Sequence, residues 1–379
     1  MAKLRALRRR VEDSGGNIPT ATMKLAAWLE HWMSVIAVEH VRPKTLAGYR
    51  SVIKNHVIPA IGHKRLDKIT PEDIRGMHDR ILSTPKKADK PDGEKLSSTY
   101  ALNAHRVLSV ALEEALTEGH ISRNPAKMMR APRKAVVELE VLDRDEAKQI
   151  FNFVKNDSEM GARWIAALLT AARRGELIGL ERDRVTDSLD LSWQLQRLKL
   201  TETGKPVVPR DFEYRHLIDG LYLTRPKSLA GWRVIPLVEP LRSILHAHMD
   251  FAEPNPWGLV FTRRGRPIDP DQDSKAWREV LAKSKIAKDV RLHDLRHTAI
   301  DLLYLAQVPE DLIVEIVGHA NRVQTRAYKS RGNDARLRSA MESVSALFSD
   351  SPAGLGTRPE VVASHRARLQ APRGLEPTG

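Results

Sequence analysis

Apolar residues recur every three or four positions along the first part of the chain, which is the spacing of one buried helix face. The first run consists of Leu25, Trp28, Leu29, Trp32 and Met33. Similar runs start near Pro43, after an N-cap at Thr70, and after Ser97 or Ser98. The pattern predicts an all-helical domain over residues 23–130.

The pattern changes after residue 130, where a basic linker leads into a second domain. Asp143 and Glu146 have the spacing of a capping box and predict a helix start. Residues 221–224 and 232–235 have a period of two and are joined by a short turn, which is typical of a β hairpin. We therefore expect a mainly α chain whose second domain is mixed α+β with a small β-sheet or hairpin. The predicted boundaries are 1–22 for a short basic segment, 23–130 for the helical domain, 131–141 for the linker, 142–348 for the mixed domain and 349–379 for a mobile tail.

Composition adds an electrostatic expectation. The 379-residue chain has a formal net charge of +14, which favours a polyanionic partner, nucleic acid first and an anionic membrane second. Charge alone leaves a basic but otherwise ordinary enzyme as the alternative. No cysteine is present, which excludes disulfides, thiolate zinc sites and a cysteine nucleophile. The longest apolar run, 164–172, is too short to span a bilayer, and the first ten residues lack a signal-peptide core, so we expect a cytoplasmic protein.

Three short motifs carry candidate chemistry. In chain order they are Arg173-Arg174-Gly175-Glu176, then His293-Asp294-Leu295-Arg296, then Gly318-His319 with Tyr328 nine residues after the histidine. Together they supply two guanidiniums, two imidazoles and a phenol, which suit nucleophilic attack on a phosphodiester without a metal ion. Each motif alone has an ordinary interpretation, such as a surface Arg–Glu pair or a packing tyrosine. Their joint occurrence and order favour a functional site.

With these motifs the chain resembles the tyrosine recombinase (phage integrase) family over most of residues 23–345. The segments that carry the resemblance are Leu169–Leu177, Trp232–Leu237, Leu292–Thr298, Val317–His319 with Tyr328, and, in the helical region, Trp28-Leu29, Arg42–Thr45 and Tyr49-Arg50. The resemblance implies a core-type DNA-binding domain followed by a recombinase catalytic domain. It also implies site-specific DNA recombination, in which a phage or mobile element is integrated or excised.

The family's chemistry implies a role for each group. Arg173 and Arg296 would hold the non-bridging oxygens of the scissile phosphate and stabilise the pentavalent transition state. Tyr328 would be the nucleophile and form a 3′-phosphotyrosyl link. Because a phenol has a pKa of about 10, it needs a proton acceptor, and His293 is the candidate.

The remaining groups serve the leaving 5′-hydroxyl and the phosphate. Lys227, at the end of a predicted strand, is the general-acid candidate, with Lys205 as a distant competitor. His319 would position the phosphate by a hydrogen bond. The chain departs from the family where Ala171 and Gln307 occupy positions that usually hold glycine, and neither change removes a chemically active group.

The resemblance also implies partners. The substrate would be double-stranded DNA attachment sites, bound by a homotetramer that exchanges strands through a Holliday junction on the nucleoid of a prokaryotic host. A directionality factor or a host DNA-bending protein would be a further partner. No metal ion, ATP, other cofactor or membrane is expected. The candidate phosphate contacts are Arg42, Lys44, Arg50 and Lys54, for which a solvated basic face is the equal alternative.

Other classes remain as alternatives. A type IB topoisomerase would use similar chemistry to relax supercoils, and a Xer-like recombinase would resolve chromosome or plasmid dimers. A non-enzymatic DNA-binding descendant is disfavoured because every catalytic position is filled. A metal-dependent integrase would need a carboxylate cluster, and a serine recombinase would need an α/β domain before residue 140. The short stretch before residue 23 is too small for a separate arm-type DNA-binding domain, so arm sites would be unused or contacted by that basic segment alone.

Overall fold

The computed structural model describes residues 23–87, 89–90, 92–136, 139–226, 232–318 and 332–348. The chain folds into two compact units. The first, which we call the helical unit, takes the chain up to Val137 together with the segment Lys199–Phe212. The second, which we call the mixed unit, takes Glu138–Leu198 and the chain from Glu213 onwards.

The helical unit is built from short helices around one apolar core. Its α-helices are α1 (Leu25–His31), α2 (Ala37–His40), α3 (Pro43–Val52), α4 (Ile58–Ile61), α5 (Pro71–Ser83) and α6 (Ser98–Thr117). Single π-helical turns, Trp32–Ile36 and Ile53–Val57, connect α1 to α2 and α3 to α4. The five residues of the first predicted apolar run are all buried in this core.

Side-chain hydrogen bonds set the start of α5 and hold α6 against α1. The Thr70 side chain accepts from the Asp73 N–H, and the Asp73 carboxylate accepts from the Thr70 N–H, so the expected N-cap at Thr70 closes as a capping box at the start of α5. The long helix α6 is tied to α1 because the Trp28 indole donates to the carbonyl of Ala111, 2.9 Å away.

The segment 199–212 belongs to the helical unit although it lies, in sequence, inside the mixed one. Val207 packs against the helical core. The Arg42 guanidinium lies 5.4 Å from the centre of the Phe212 ring, and Arg210 forms an ion pair with Glu39 at 3.3 Å. No periodicity in this segment indicated the arrangement.

The mixed unit surrounds a second, larger core. Its helices are α7 (Arg144–Val154), α8 (Gly161–Thr170), α9 (Arg174–Ile178), α10 (Leu241–Phe251), α11 (Pro270–Lys283), α12 (Leu295–Leu305), α13 (Glu310–Val317) and α14 (Gly332–Ala346). Its strands are β1 (Ser188–Asp190), β2 (Gln194–Arg197), β3 (Tyr214–Ile218), β4 (Leu221–Thr224), β5 (Val234–Pro236), β6 (Thr262–Arg263) and β7 (Arg266–Pro267). The capping box predicted at Asp143 and Glu146 opens α7.

The strands form three small antiparallel sheets, and their pairing corrects one expectation. The sheets have the orders β1-β5, β2-β4-β3 and β6-β7. Residues 221–224 and 232–235 were expected to pair as one hairpin, but β4 pairs with β2 and β3, whereas β5 pairs with β1. A period of two identifies a strand without identifying its partner, and here the partners are set by long-range packing.

The predicted fold class is confirmed, since a helical unit is accompanied by a mostly helical unit with small sheets. In the part of the chain that the structure describes, no helix is long and apolar enough to cross a membrane.

Candidate active site

Arg173 lies where a fully buried helix ends. Every residue of α8 is buried, and the helix stops at Ala171, which has a left-handed φ of 50°. Arg173 then caps α9 with an extended backbone. Its Nη1 donates to Glu176 Oε1 at 2.6 Å, and its backbone N–H donates to Oε2 at 2.7 Å. Glu176 therefore orients this arginine, and the spacing of three residues allows the contact.

The glycine of the Arg-Arg-Gly-Glu motif has a steric role. The α9 turn lies directly on β2, and a Cβ atom added to Gly175 would lie 2.9 Å from the carbonyl oxygen of Leu195. A Cβ on Gly179 would lie 2.5 Å from the Leu195 nitrogen. Only glycine allows this approach, which fixes the turn that carries Arg173.

Arg296 lies in the first turn of α12 and is buried. Its Nη1 donates to the carbonyl of Ala171 and its Nη2 to the carbonyl of Val317. The second arginine therefore bridges the end of α8 and the end of α13. His293 precedes Arg296 by three residues, but α12 begins only at Leu295, so His293 lies in the preceding turn and is exposed.

A third arginine, which the sequence did not single out, completes this cluster. Arg233, at the start of β5, donates from Nη1 and Nη2 to the two oxygens of Glu176 at 3.0 and 2.8 Å. Its Nε donates to the carbonyl of Ile316 at 2.7 Å. A faint signal was present, because strand alternation places Arg233 on the same face as the buried Ile235, where a charged residue is unusual.

The three arginines meet at one helix end. The last carbonyls of α13 and its C-cap, those of Ile316, Val317 and Gly318, accept hydrogen bonds from three different guanidiniums: Arg233, Arg296 and Arg173 respectively. Gly318 has the left-handed φ of 69° that is typical of a helix C-cap glycine. Carbonyls at a helix C-terminus have no partner within the helix and carry a partial negative charge, so cations stabilise them.

The electrostatics of the cluster favour an anion. Burial, with the neighbouring guanidiniums of Arg173 and Arg233, lowers the pKa of Arg296 to about 9, with Glu176 opposing the shift. Arg296 therefore stays charged at neutral pH. Burial alone would raise the pKa of Glu176, but Arg233 and Arg173 more than offset it and lower that pKa below its usual range. Three cations against one carboxylate leave an excess of positive charge, which suits a phosphodiester that gains a second negative charge in its transition state.

The other candidate residues are distributed as follows. Lys227, His319 and Tyr328 lie outside the described residues. Gly318, which accepts from Arg173, directly precedes His319 in the chain. Lys205, the competitor of Lys227, is exposed in segment 199–212, which groups with the helical unit and not with the unit that holds the arginines.

The candidate DNA contacts lie around α3 of the helical unit. Lys44 on α3 and Lys54 in the following π-helical turn are exposed, whereas Arg42 and Arg50 are half-buried. Lys44 and Lys54 are therefore the best placed of the four for contact with a polyanion.

Comparison with known proteins supports the family resemblance that the sequence motifs indicated. Residues 24–82 match the family model for the phage integrase N-terminal SAM-like domain, and residues 140–333, more than half of the chain, match the phage integrase family model. An integrase of Saccharopolyspora erythraea is 28% identical over 349 residues, which cover 79% of this chain and 77% of that protein.

Solved structures share the fold. The Tn1549 transposon integrase in complex with a circular intermediate DNA matches 92% of this chain and 99% of its own, with a TM-score of 0.63 at 16% identity. A lambda integrase in a tetramer bound to a Holliday junction matches 84% of this chain and 82% of its own, with a TM-score of 0.56 at 18% identity.

Fold, arginine cluster and family models together define a tyrosine-type site-specific DNA recombinase, an enzyme that breaks and rejoins DNA strands. The chain belongs to the phage integrase family. Recombination fits these findings better than supercoil relaxation, because the relatives are integrases and recombinases.

Proposed function

We propose that this recombinase integrates and excises phage or mobile-element DNA, with Tyr328 as its nucleophile. The phenolic oxygen of Tyr328 attacks the scissile phosphorus and gives its proton to His293. The bond from phosphorus to the 5′ oxygen breaks, and Lys227 protonates that oxygen. The products are a 3′-phosphotyrosyl link and a free 5′-hydroxyl.

Rejoining reverses these steps with a different strand. The 5′-hydroxyl of the partner DNA attacks the phosphotyrosyl link, which has stored the energy of the broken bond. The balance of bonds needs no ATP and no metal ion. Arg173 and Arg296 hold the phosphate in both directions, and His319 positions it by a hydrogen bond.

One observation carries this proposal. Arg173 and Arg296 both donate to carbonyls at the end of α13, and the chain leaves that end at His319, nine residues before Tyr328. The two guanidiniums are therefore anchored to the same backbone that leads to the proposed phosphate ligand and nucleophile. Lys205, in the segment that groups with the helical unit, is the alternative general-acid candidate.

The proposed assembly follows from the reaction. Exchange between two sites requires four active protomers, so we propose a homotetramer on two double-stranded attachment sites that passes through a Holliday junction. The helical unit and the mixed unit serve as the DNA-binding and catalytic domains, with Arg42, Lys44, Arg50 and Lys54 as phosphate contacts. A directionality factor or a host DNA-bending protein completes the complex. The reaction takes place in the cytoplasm, on the nucleoid of a prokaryotic host, where the substrate lies.

The test uses a nicked duplex that contains a site selected from the DNA flanking the gene. The nick lies close to the cleavage position, so the short cleaved strand diffuses away and the covalent complex accumulates. Wild-type protein should give a protein–DNA band that resists denaturant, and Tyr328→Phe should give none while its Kd for the duplex stays within about twofold. Cleavage by Tyr328→Phe would refute the assignment.

Two further assays separate the alternatives. Strand exchange between two attachment sites supports recombination, whereas relaxation of a supercoiled plasmid without exchange supports a type IB topoisomerase. Reaction only between two copies of one site on a plasmid dimer, with no exchange between phage-type and chromosomal sites, supports Xer-like resolution.

A further inference from the structure

Arg233 joins three segments that the proposed reaction needs. It directly precedes β5, which follows the proposed Lys227 in the chain. It binds both oxygens of Glu176, the carboxylate that orients Arg173. It also donates to the carbonyl of Ile316, near the end of the helix that precedes His319.

We propose that Arg233 is a positioning residue that holds the guanidinium of Arg173 in register with the scissile phosphate. It acts through Glu176, whose Oε1 accepts from both arginines at 2.6 and 3.0 Å. The inference rests on the proposed function, because it assumes that Arg173 binds the phosphate.

A direct role in DNA binding fits Arg233 less well than it fits its ion-pair neighbour Arg173. Its side chain is only 4% exposed, compared with 33% for Arg173. Each of its three nitrogens already donates to a carboxylate or a carbonyl oxygen. Of the two arginines that pair with Glu176, Arg173 is therefore the one that is accessible to a ligand, and Arg233 contacts the buried side of the same carboxylate.

The geometry of the Arg233–Glu176 pair favours a positioning role over a role in stability alone. A buried ion pair contributes little net stability, because desolvation offsets its attraction, and apolar residues often replace both members without loss. Removal of one member alone leaves a buried charge without its partner and destabilises the fold, so cleavage rates have to be separated from stability. The value of a bidentate guanidinium–carboxylate pair lies in its fixed planar geometry. The Arg233 fork fixes the plane of the Glu176 carboxylate, and that carboxylate in turn accepts hydrogen bonds from Arg173. Removing Arg233 frees Glu176 to rotate, and Arg173 rotates with it.

The experiment compares Arg233→Met and Arg233→Lys with wild type in single-turnover cleavage of the nicked duplex. The matched control is Arg163→Met, which also removes the cation of a buried ion pair in the same unit and leaves its carboxylate, Asp273, with both side chains 0% exposed in the wild type. Rates are expressed per folded molecule, with folding followed by circular dichroism and thermal unfolding. The Kd for the duplex is measured in parallel.

Two substrates distinguish positioning from a structural role. In the first the scissile group is a normal phosphodiester, and in the second it is a methylphosphonate, in which a methyl group replaces one non-bridging oxygen and removes the negative charge. A displaced Arg173 matters less when the transition state carries less charge. A structural defect slows both substrates equally.

We expect Arg233→Met to cleave the phosphodiester at least about tenfold more slowly, since small misplacements of a catalytic group cost up to about a hundredfold. Its Kd should stay within about twofold, and the defect should shrink to about threefold or less on the methylphosphonate. Arg233→Lys keeps the charge but loses the fork, so it should show a smaller defect with the same substrate dependence. The control variant should cleave both substrates at the wild-type rate.

Several results would overturn the inference. A phosphodiester rate for Arg233→Met within about threefold of wild type would do so, as would an equal loss on both substrates. If Arg233→Met does not fold, Arg233→Lys decides, and a wild-type rate for it refutes the positioning role. Failure of wild-type protein to form any covalent complex would refute the proposed function itself and is distinguishable from these outcomes.

Discussion

Replacing Gln307 by glycine should stabilise the mixed unit. Gln307 has a φ of 58° and follows the last turn of α12, the helix that carries Arg296. Its N–H donates to the carbonyl of Tyr304 and the Val308 N–H donates to the carbonyl of Leu303, which together form a Schellman motif. The left-handed position of this motif favours glycine, which agrees with the expectation that recombinases of this family often have glycine there.

The magnitude follows from two opposing terms. A non-glycine residue in the left-handed region costs roughly 1–2 kcal/mol, and Gln307→Gly removes that cost. Glycine is more flexible in the unfolded chain, which lowers the unfolding free energy by roughly 0.5–1 kcal/mol. The difference between the two terms lies between about 0 and 1.5 kcal/mol, and its midpoint is a gain of about 0.75 kcal/mol in unfolding free energy, or roughly 1.5–3 °C in Tm for a unit of this size. Gln307 is exposed, so little packing is lost.

The chain provides its own controls. Lys285 has a φ of 59° in the same motif after α11, so Lys285→Gly should give a similar gain. Gly119, with a φ of 77°, occupies the equivalent position after α6, and Gly119→Ala should destabilise the helical unit by about 1 kcal/mol. Gln307→Ala keeps the left-handed strain and should change the Tm little.

The assay is urea and thermal unfolding followed by circular dichroism and tryptophan fluorescence, with the two units' transitions fitted separately. Cleavage by Gln307→Gly should stay within about twofold of wild type. A Gln307→Gly protein that is no more stable than Gln307→Ala would refute the argument from backbone strain.

Three further changes test other parts of the molecule. Burial and the neighbouring His105 lower the pKa of His78 to about 4, so the folded helical unit prefers the neutral imidazole. Its contribution to stability is full above about pH 6.5 and is lost as the pH falls towards 4, by about 2 kcal/mol at pH 5. Urea titrations between about pH 4 and 7 should therefore show a steeper dependence of unfolding free energy on pH for wild type than for His78→Leu. The double variant Lys44→Ala/Lys54→Ala should reduce the slope of log K against log salt by about 1.8 in a DNA-binding titration, whereas Arg75→Ala, which breaks an ion pair on α5, should leave the slope unchanged. Gly175→Ala should slow covalent-complex formation at least about tenfold, because its Cβ would lie 2.9 Å from a β2 carbonyl oxygen; an unchanged rate would contradict the close-packing argument.

Local features were predictable from the sequence because their causes are local. The N-cap at Thr70 and the capping box at Asp143 depend on residues close in sequence, and both formed as expected; at Thr70 the structure adds the reciprocal bond from Asp73. The end of α13 at Gly318 follows from the conformational freedom of one residue. The pairing of Glu176 with Arg173 has the same short range.

Long-range features were not predictable in this way. Arg233 is separated from Glu176 by 57 positions and from Ile316 by 83. A pattern of apolar residues cannot predict contacts between residues so far apart in the sequence. The same is true of β5, which pairs with β1 and not with β4. A strand pattern shows which face is buried, but the partner depends on how the whole core packs.

The two positions where this chain lacks a glycine expected from the family share a backbone conformation. Ala171 and Gln307 were recognised as substitutions without chemical roles, and both have a positive φ, 50° and 58°. The chain therefore keeps the backbone conformation that glycine favours and accepts the strain. At Ala171 this conformation directs the carbonyl that accepts from Arg296, so the strained residue lies beside the proposed catalytic group.

The most direct test of the proposed chemistry is the identity of the amino acid that becomes joined to DNA. The covalent complex formed on the nicked duplex is digested with nuclease and trypsin, and the modified peptide is identified by mass spectrometry. We expect one nucleotide-bearing peptide, in which the 3′ phosphate of the nucleotide is joined to Tyr328. Modification of any other residue, or a link through a 5′ phosphate, would contradict it.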